Sequence, residues 1–167
     1  MEIPKALIDR LKKNEEIAQK FNDIEISILS ILNYNDFFER LLSEISDKFS
    51  IPYIWISIIR ESRIAEHLKA AGESDLLKSA TAFVGKHTFL DIIQNRLTPL
   101  LANENLGIYK DLMPEISNPD IGSIAIAPIT LDGDIVGSIN QADVNPRRFE
   151  PGIDTSLLQQ LALKVSL

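Results

Sequence analysis

Residues Ser123 to Ala142 read SIAIAPITLDGDIVGSINQA, two apolar runs on either side of Asp132-Gly133. Asp-Gly is a preferred centre for a two-residue hairpin turn, because both turn positions need a positive φ. Ser123 to Thr130 and Ile135 to Ala142 are therefore expected as paired antiparallel strands. If Leu131 faces Asp134, then Ala127 faces Ser138, Ala125 faces Asn140 and Ile126 faces Ile139. Pro128 then meets Gly137, a pairing that points to a bulge or irregularity. This register puts Ile124, Ile126, Ile135 and Ile139 on one face. It puts Ser123, Ala125, Ala127, Ser138 and Asn140 on the other. The first face calls for a cover of helices. The second is small and partly polar, so another group must fill the space above it.

Working outward, Ile51 to Arg60 (IPYIWISIIR) has the composition of a strand and splits in the same way. Ile54, Ile56 and Ile58 alternate with Tyr53, Trp55 and Ser57. A sheet built from these strands has an apolar side and a side lined by Trp55, Ser57, Ser123, Ser138 and Asn140. Small residues, a few polar groups and one aromatic suit a ligand pocket. The competing reading is a second core layer filled by Phe83, Phe89, Ile92 and Ile93.

Upstream, Ile3, Leu7, Arg10, Asn14, Ile17, Phe21, Ile24, Ile28 and Ile31 are spaced alternately four and three apart, the seam of a heptad repeat. Pro4 to about Leu32 is expected as one helix. A helix of roughly 28 residues spans about 42 Å, more than one small domain covers. Its seam is expected to pair with a second copy through Ile17, Phe21, Ile24 and Ile28, helped by the C-terminal helix. Arg10 and Asn14 weaken the early part of the seam. Asn33 to Asp36 breaks the helix, and Phe37, Phe38, Leu41, Leu42, Ile45 and Phe49 then form a second helical stripe. Between Glu61 and Gly85 we expect a weak strand near Ile64 to Ala70, a turn at Gly72 and a short helix from Asp75. His87 to Arg96 reads as helix and Leu97 to Ala102 as strand. Asn103 to Asp120, with Gly107, Pro114 and Pro119, reads as loop, and long loops in compact domains usually carry function. Pro151 opens a last helix with Leu157, Leu158, Leu161 and Val165 as its stripe. That helix has no stop signal, which suggests a chain continuing into another domain.

The composition narrows the function classes. The chain has 167 residues, 17 Lys and Arg, 24 Asp and Glu, and a formal charge of −7. An acidic chain is a poor partner for nucleic-acid phosphates or anionic lipid, so neither nucleic acid nor membrane is an expected partner. With 0 Cys it has no disulfide, no thiolate ligand and no Cys nucleophile, which suits a reducing cytoplasm. No apolar run approaches the roughly 18 residues of a membrane span. There is no phosphate-binding glycine loop, dinucleotide fingerprint or nucleophile elbow. His67 and His87 are the only histidines, without ligand-like spacing, and are expected on the surface. Asp132 and Asp134 are accounted for by the turn. Asp143, Arg147 and Arg148 suggest a local ion pair that closes a loop. No catalytic residue, metal site or cofactor is expected, and the chain does not read as an enzyme.

Several blocks of the sequence together resemble a GAF domain, a small-molecule-sensing module of signalling proteins. The residues that carry the likeness are Leu97-Thr98-Pro99-Leu100-Leu101, Gly122 to Ile129, Asp132 to Ile139, and Arg148-Phe149-x-Pro151 with Asp154 and a Leu-rich helix. The tail from Gly137 to Val165 is most similar to a GAF-like bacterial family of unknown function and to GAF domains that precede diguanylate cyclases. The resemblance covers roughly residues 35 to 167. It implies an α+β fold, an antiparallel sheet between helical layers, with the first and last helices on one face and ligands on the other. It gives no ligand, because the N-K-x-F-D-E type of cyclic-nucleotide signature is absent and no Cys is available for a bilin.

Residues 1–34 are thus expected to be a dimerisation and signalling helix, and 35–167 a GAF-like sensory domain. An unidentified small molecule is expected against Trp55, Ser57, Ser123, Ser138, Asn140 and Tyr109, with Asn103 to Asp120 as lid. A signal would pass to a downstream or partner effector. The alternative is a ligand-free module whose task is to pair chains.

Overall fold

Helical spacing of apolar residues becomes structure most directly in the segment after the long N-terminal helix. Phe38, Leu41, Leu42 and Ile45 recur at three- and four-residue intervals and are at most 2% exposed. They form the buried stripe of α2 (Tyr34–Phe49). Asp36 in its first turn and Lys48 in its last complement the helix dipole. Ser50, at φ 51°, breaks the helix before Pro52. The computed structural model describes residues 4–28, 34–70, 75–114 and 120–153.

Five strands, β1 (Tyr53–Ile59), β2 (Thr81–Val84), β3 (Leu100–Ala102), β4 (Ser123–Leu131) and β5 (Asp134–Asp143), form one sheet in the order β2-β1-β5-β4-β3. All pairings are antiparallel except β1 with β2, which is parallel. The parallel pair is joined through α3 (Arg63–Ala70) and α4 (Asp75–Ala80), as a parallel connection requires a crossover. α5 (Lys86–Ile93) and a 3₁₀ helix (Leu106–Leu112) follow β2 and β3. The architecture is α+β, as expected.

α1 (Lys5–Ile28) packs on α2, and α2 packs on β1. The Phe21 and Phe49 rings are 5.0 Å apart, and the Lys20 ammonium lies 5.4 Å from the Phe49 ring centre. Lys48 reaches Asp23 at 3.8 Å. Phe21, expected in a seam between chains, thus packs within its own chain. Leu7, Ile8 and Leu11, nearer the start of α1, are exposed. The side chains of Ile24 and Ile28, the turn at Gly72 and the closing helix after Ile153 lie outside the described residues.

Five local expectations are corrected. Residues 63–70 form a helix, not a strand, because Ile64, Ala65 and Leu68 share one face of a helix and the first two are 1% exposed. β2 was not foreseen. The expected loop contains the 3₁₀ helix, and β3 begins at Leu100 rather than Leu97.

The fifth correction decides which residues share a face. The turn is as expected, with Asp132 at φ 51° and Gly133 at φ 86°, and Leu131 pairs with Asp134. The ladder then shifts between Ile129 and Thr130: Thr130 pairs with Ile135, but Ile129 pairs with Gly137. Val136 is the extra residue of a β-bulge. Beyond it, Ala127 faces Ile139, Ile126 faces Asn140 and Ala125 faces Gln141. A one-residue slip exchanges the faces of a strand. Ile124 and Ile126 therefore share the side of Ser138 and Asn140, while Ser123, Ala125 and Ala127 share the side of Ile139.

Candidate functional site

β1 and β5 bring the expected polar face together. Trp55 pairs with Asn140 and Ser57 with Ser138. Gly137 permits this close approach, since a Cβ there would stand 2.2 Å from the Ser57 carbonyl oxygen. Above this face the 3₁₀ helix ends at Leu112, and its carbonyl oxygen accepts two side-chain hydrogen bonds. The Trp55 indole N–H and the Ser57 hydroxyl each donate to it at 2.7 Å. Asn140 donates from Nδ2 to Ser57 Oγ at 2.7 Å, and Ser138 donates to Asn140 Oδ1 at 2.8 Å. Ser57, Ser138 and Asn140 are 0% exposed. A buried network of this kind rigidifies a site when every member is paired.

Tyr109, on the same 3₁₀ helix, is buried, and burial pushes its phenol above the ordinary value, with Arg96 opposing the shift. The described part of the segment expected to be a lid therefore meets the expected site through Leu112, while Tyr109 is buried in the core. α5 packs beside the 3₁₀ helix with Phe89 and Ile93 fully buried, while Phe83 and Ile92, the other two residues of the core-layer reading, are half-buried. Ser123 does not belong to this group. The bulge places it on the opposite face, where its hydroxyl donates to the Asn145 carbonyl at 2.7 Å and accepts the Phe149 N–H at 3.2 Å.

The end of β5 is tied to the helical layer. Arg148 pairs with Asp143 at 3.0 Å and also donates to the carbonyls of Phe49 and Ser50 at the end of α2. The Asn145 N–H bonds Asp143 Oδ1 at 3.0 Å. That hydrogen bond and the Arg148 guanidinium hold the Asp143 carboxyl below its ordinary 3.8, against the opposing effect of burial. The expected local ion pair is present and extends to α2.

A concavity away from this network was not foreseen. A cavity of about 520 Å³ lies at the hairpin end of the sheet. Its apolar wall includes Ile59, Leu90, Leu97 and Val136, and its polar wall includes Ser62, Lys86, Asn95 and Asp134. Glu61 accepts the Lys86 backbone N–H at 2.7 Å, and Arg63 pairs with Asp132 at 3.3 Å. Gln94, at φ 57°, ends α5 and turns the chain toward Leu97. No local motif announces such a site, because its walls come from α3, α5 and the hairpin. Lys86 and Asp134 each stand in the sequence beside a glycine, which gives them a bland local explanation.

No protein-family model matches the chain, and no curated protein matches it. Among solved structures, it is similar to the crystal structure of the A. aeolicus nlh2 GAF domain in an inactive state. The TM-score is 0.43 and the identity 16%, over 78% of this chain and 80% of that one. Among the described residues, no helix is long and apolar enough to cross a membrane.

Proposed function

We propose that the chain is a non-catalytic regulatory module of the GAF type that senses a small molecule on the face carrying Trp55, Ser57, Ser138 and Asn140. The observation that carries this reading is the Leu112 carbonyl, held by two buried side-chain donors. A covering segment attached by side chains can exchange that carbonyl for a ligand oxygen without breaking the sheet ladder. Release of Leu112 would free the 3₁₀ helix with Tyr109, and the hydrogen-bond exchange would cost little net free energy. The response would reach α1 through β5, Arg148 and the end of α2, where Phe49 meets Phe21. The residue pattern of the hairpin and the closing Arg148-Phe149-x-Pro151 supports the family part of the reading.

A second copy of the chain is the proposed partner, with α1 as the contact. Leu7 and Leu11 are one helical turn apart, Ile8 adjoins them, and all three are exposed, which supports α1 as the contact alongside the expected seam of Ile17, Phe21, Ile24 and Ile28. Removal of residues 1–32 is expected to convert a dimer into a monomer in sedimentation. A monomeric intact chain at micromolar concentration would end this part of the reading.

The ligand part is tested by native mass spectrometry of the purified chain beside Asn140→Leu. A noncovalent small-molecule mass that is present in the parent and lost in the variant supports sensing at this face. Its retention in the variant places the ligand elsewhere. Absence from both favours the second reading, a ligand-free pairing module. That reading also has an observation behind it: the polar atoms of the network satisfy one another within the fold.

A further inference from the structure

The cavity at the hairpin end shares no residue with the Leu112 network, and its chemistry differs. Its volume of about 520 Å³ lies within the roughly 300–1,000 Å³ range of small-molecule sites. Two charges of opposite sign in its wall are left over. Glu61 is engaged by the Lys86 backbone N–H, and Arg63 by Asp132. The Lys86 ammonium and the Asp134 carboxylate have no partner among the described residues and do not pair with each other. Ser62, in the same wall, has its Oγ buried and without a hydrogen-bond partner. Beside these groups, Leu90, Leu97 and Val136 offer an apolar surface.

We propose that this cavity binds a zwitterion with an apolar body, of the class of a free apolar amino acid. The ligand carboxylate meets Lys86, its ammonium meets Asp134, and the side chain lies against Leu90 and Val136. The charge balance selects the class. A polyphosphate finds only one unengaged cation and two carboxylates, Glu61 and Asp134, in the wall, so a nucleotide is disfavoured. A simple hydrocarbon leaves Lys86 and Asp134 without partners. The inference holds whether or not the Leu112 carbonyl is displaced by a ligand.

The test is calorimetric titration of the full chain with L-phenylalanine, 3-phenylpropionate and 2-phenylethylamine. The latter two lack the ammonium and the carboxylate respectively. L-Phenylalanine is expected to bind, with each analogue weaker by about tenfold or more, the loss of one charge-assisted contact. Lys86→Met should weaken L-phenylalanine by about tenfold and leave 2-phenylethylamine unchanged. Asp134→Asn should do the same to L-phenylalanine and leave 3-phenylpropionate unchanged. Both positions are exposed, so the melting temperatures should match the parent. Asn140→Leu should not alter L-phenylalanine binding, which separates this site from the network. Absence of binding at about 1 mM, equal affinity for either analogue, or indifference to both charge variants would overturn the proposal.

Discussion

The middle of the sheet and its hairpin end are built from similar ingredients, Ser, Asn and branched aliphatic residues, yet they reach opposite states. In the middle, Ser57, Ser138, Asn140 and Trp55 are covered by the 3₁₀ helix, and each polar side chain has a partner within the fold. At the hairpin end, Ser62 is buried without a partner, and Lys86 and Asp134 are exposed in the cavity wall. The difference lies in what approaches from above. A backbone carbonyl that reaches the sheet can close a hydrogen-bond network, whereas a helix flank and a turn leave a concavity. Side-chain chemistry alone therefore does not tell a closed network from an open site.

The largest effect is expected where the network has no room. Gly137→Ala places a methyl group against the Ser57 backbone, 2.2 Å from its carbonyl oxygen, so β1 and β5 must separate. A loss of about 3 kcal/mol is expected, the upper end of overpacking costs, read as a lower thermal midpoint by circular dichroism. An unchanged midpoint would mean that the two strands do not approach as described.

Asn140→Leu tests the network's chemistry rather than its space. Ser138 loses its acceptor and Ser57 loses a donor, at a cost of about 2 kcal/mol for buried groups left unpaired. Because Trp55 is the single tryptophan, its emission should also shift as the packing beneath Leu112 changes. A variant as stable as the parent would show that the network is dispensable and that the two regions are more alike than described.

At the other end, Gly133→Val forces a β-branched side chain to φ 86°. The strain should cost about 1–2 kcal/mol. No heavy atom lies within 4 Å of an added Cβ there, so the penalty comes from backbone strain rather than from a clash at Cβ. Equilibrium urea denaturation should rank this variant above Asn140→Leu in stability, and the reverse order would break the comparison.

The smallest effect is tied to pH. The Asp143 carboxyl is lowered in the folded chain, first by the Asn145 N–H and also by Arg148. A lowered folded pKa means that this residue stabilises the fold above the unfolded value of 3.8. That contribution fades as pH falls through the folded pKa. Asp143→Asn should be the less stable protein near neutrality, and the gap should close on acidification below 3.8. A gap that is constant with pH would remove the carboxylate from the anchoring of β5 to α2.

Much of the fold is legible without coordinates, and the exceptions share a cause. The α2 stripe, the alternation in β1 and the Asp132-Gly133 turn each declare themselves over a short window. β2 has four residues and α3 eight, too few for a period of two or 3.6 to separate from chance. The placement of Trp55, Ser57, Ser138 and Asn140 on one face was correct because β5 keeps its alternation beyond the bulge. Ser123 was misplaced because Val136 shifts the register on the far side of the hairpin.

Local order in the chain suffices for the turn, the apolar stripes, the lack of cysteine chemistry and the acidic surface, since these depend on neighbouring residues and composition. The phase of β4 against β5, the closure of the network by Leu112 and the cavity beside α5 depend on contacts between distant residues. Leu112 meets Trp55 and Ser57 across 57 and 55 positions, and one unpaired residue at the bulge decides which side chains face them. Such contacts form only when the whole chain packs, because a carbonyl carries no sequence signature and a single-residue slip leaves the apolar alternation of each strand intact.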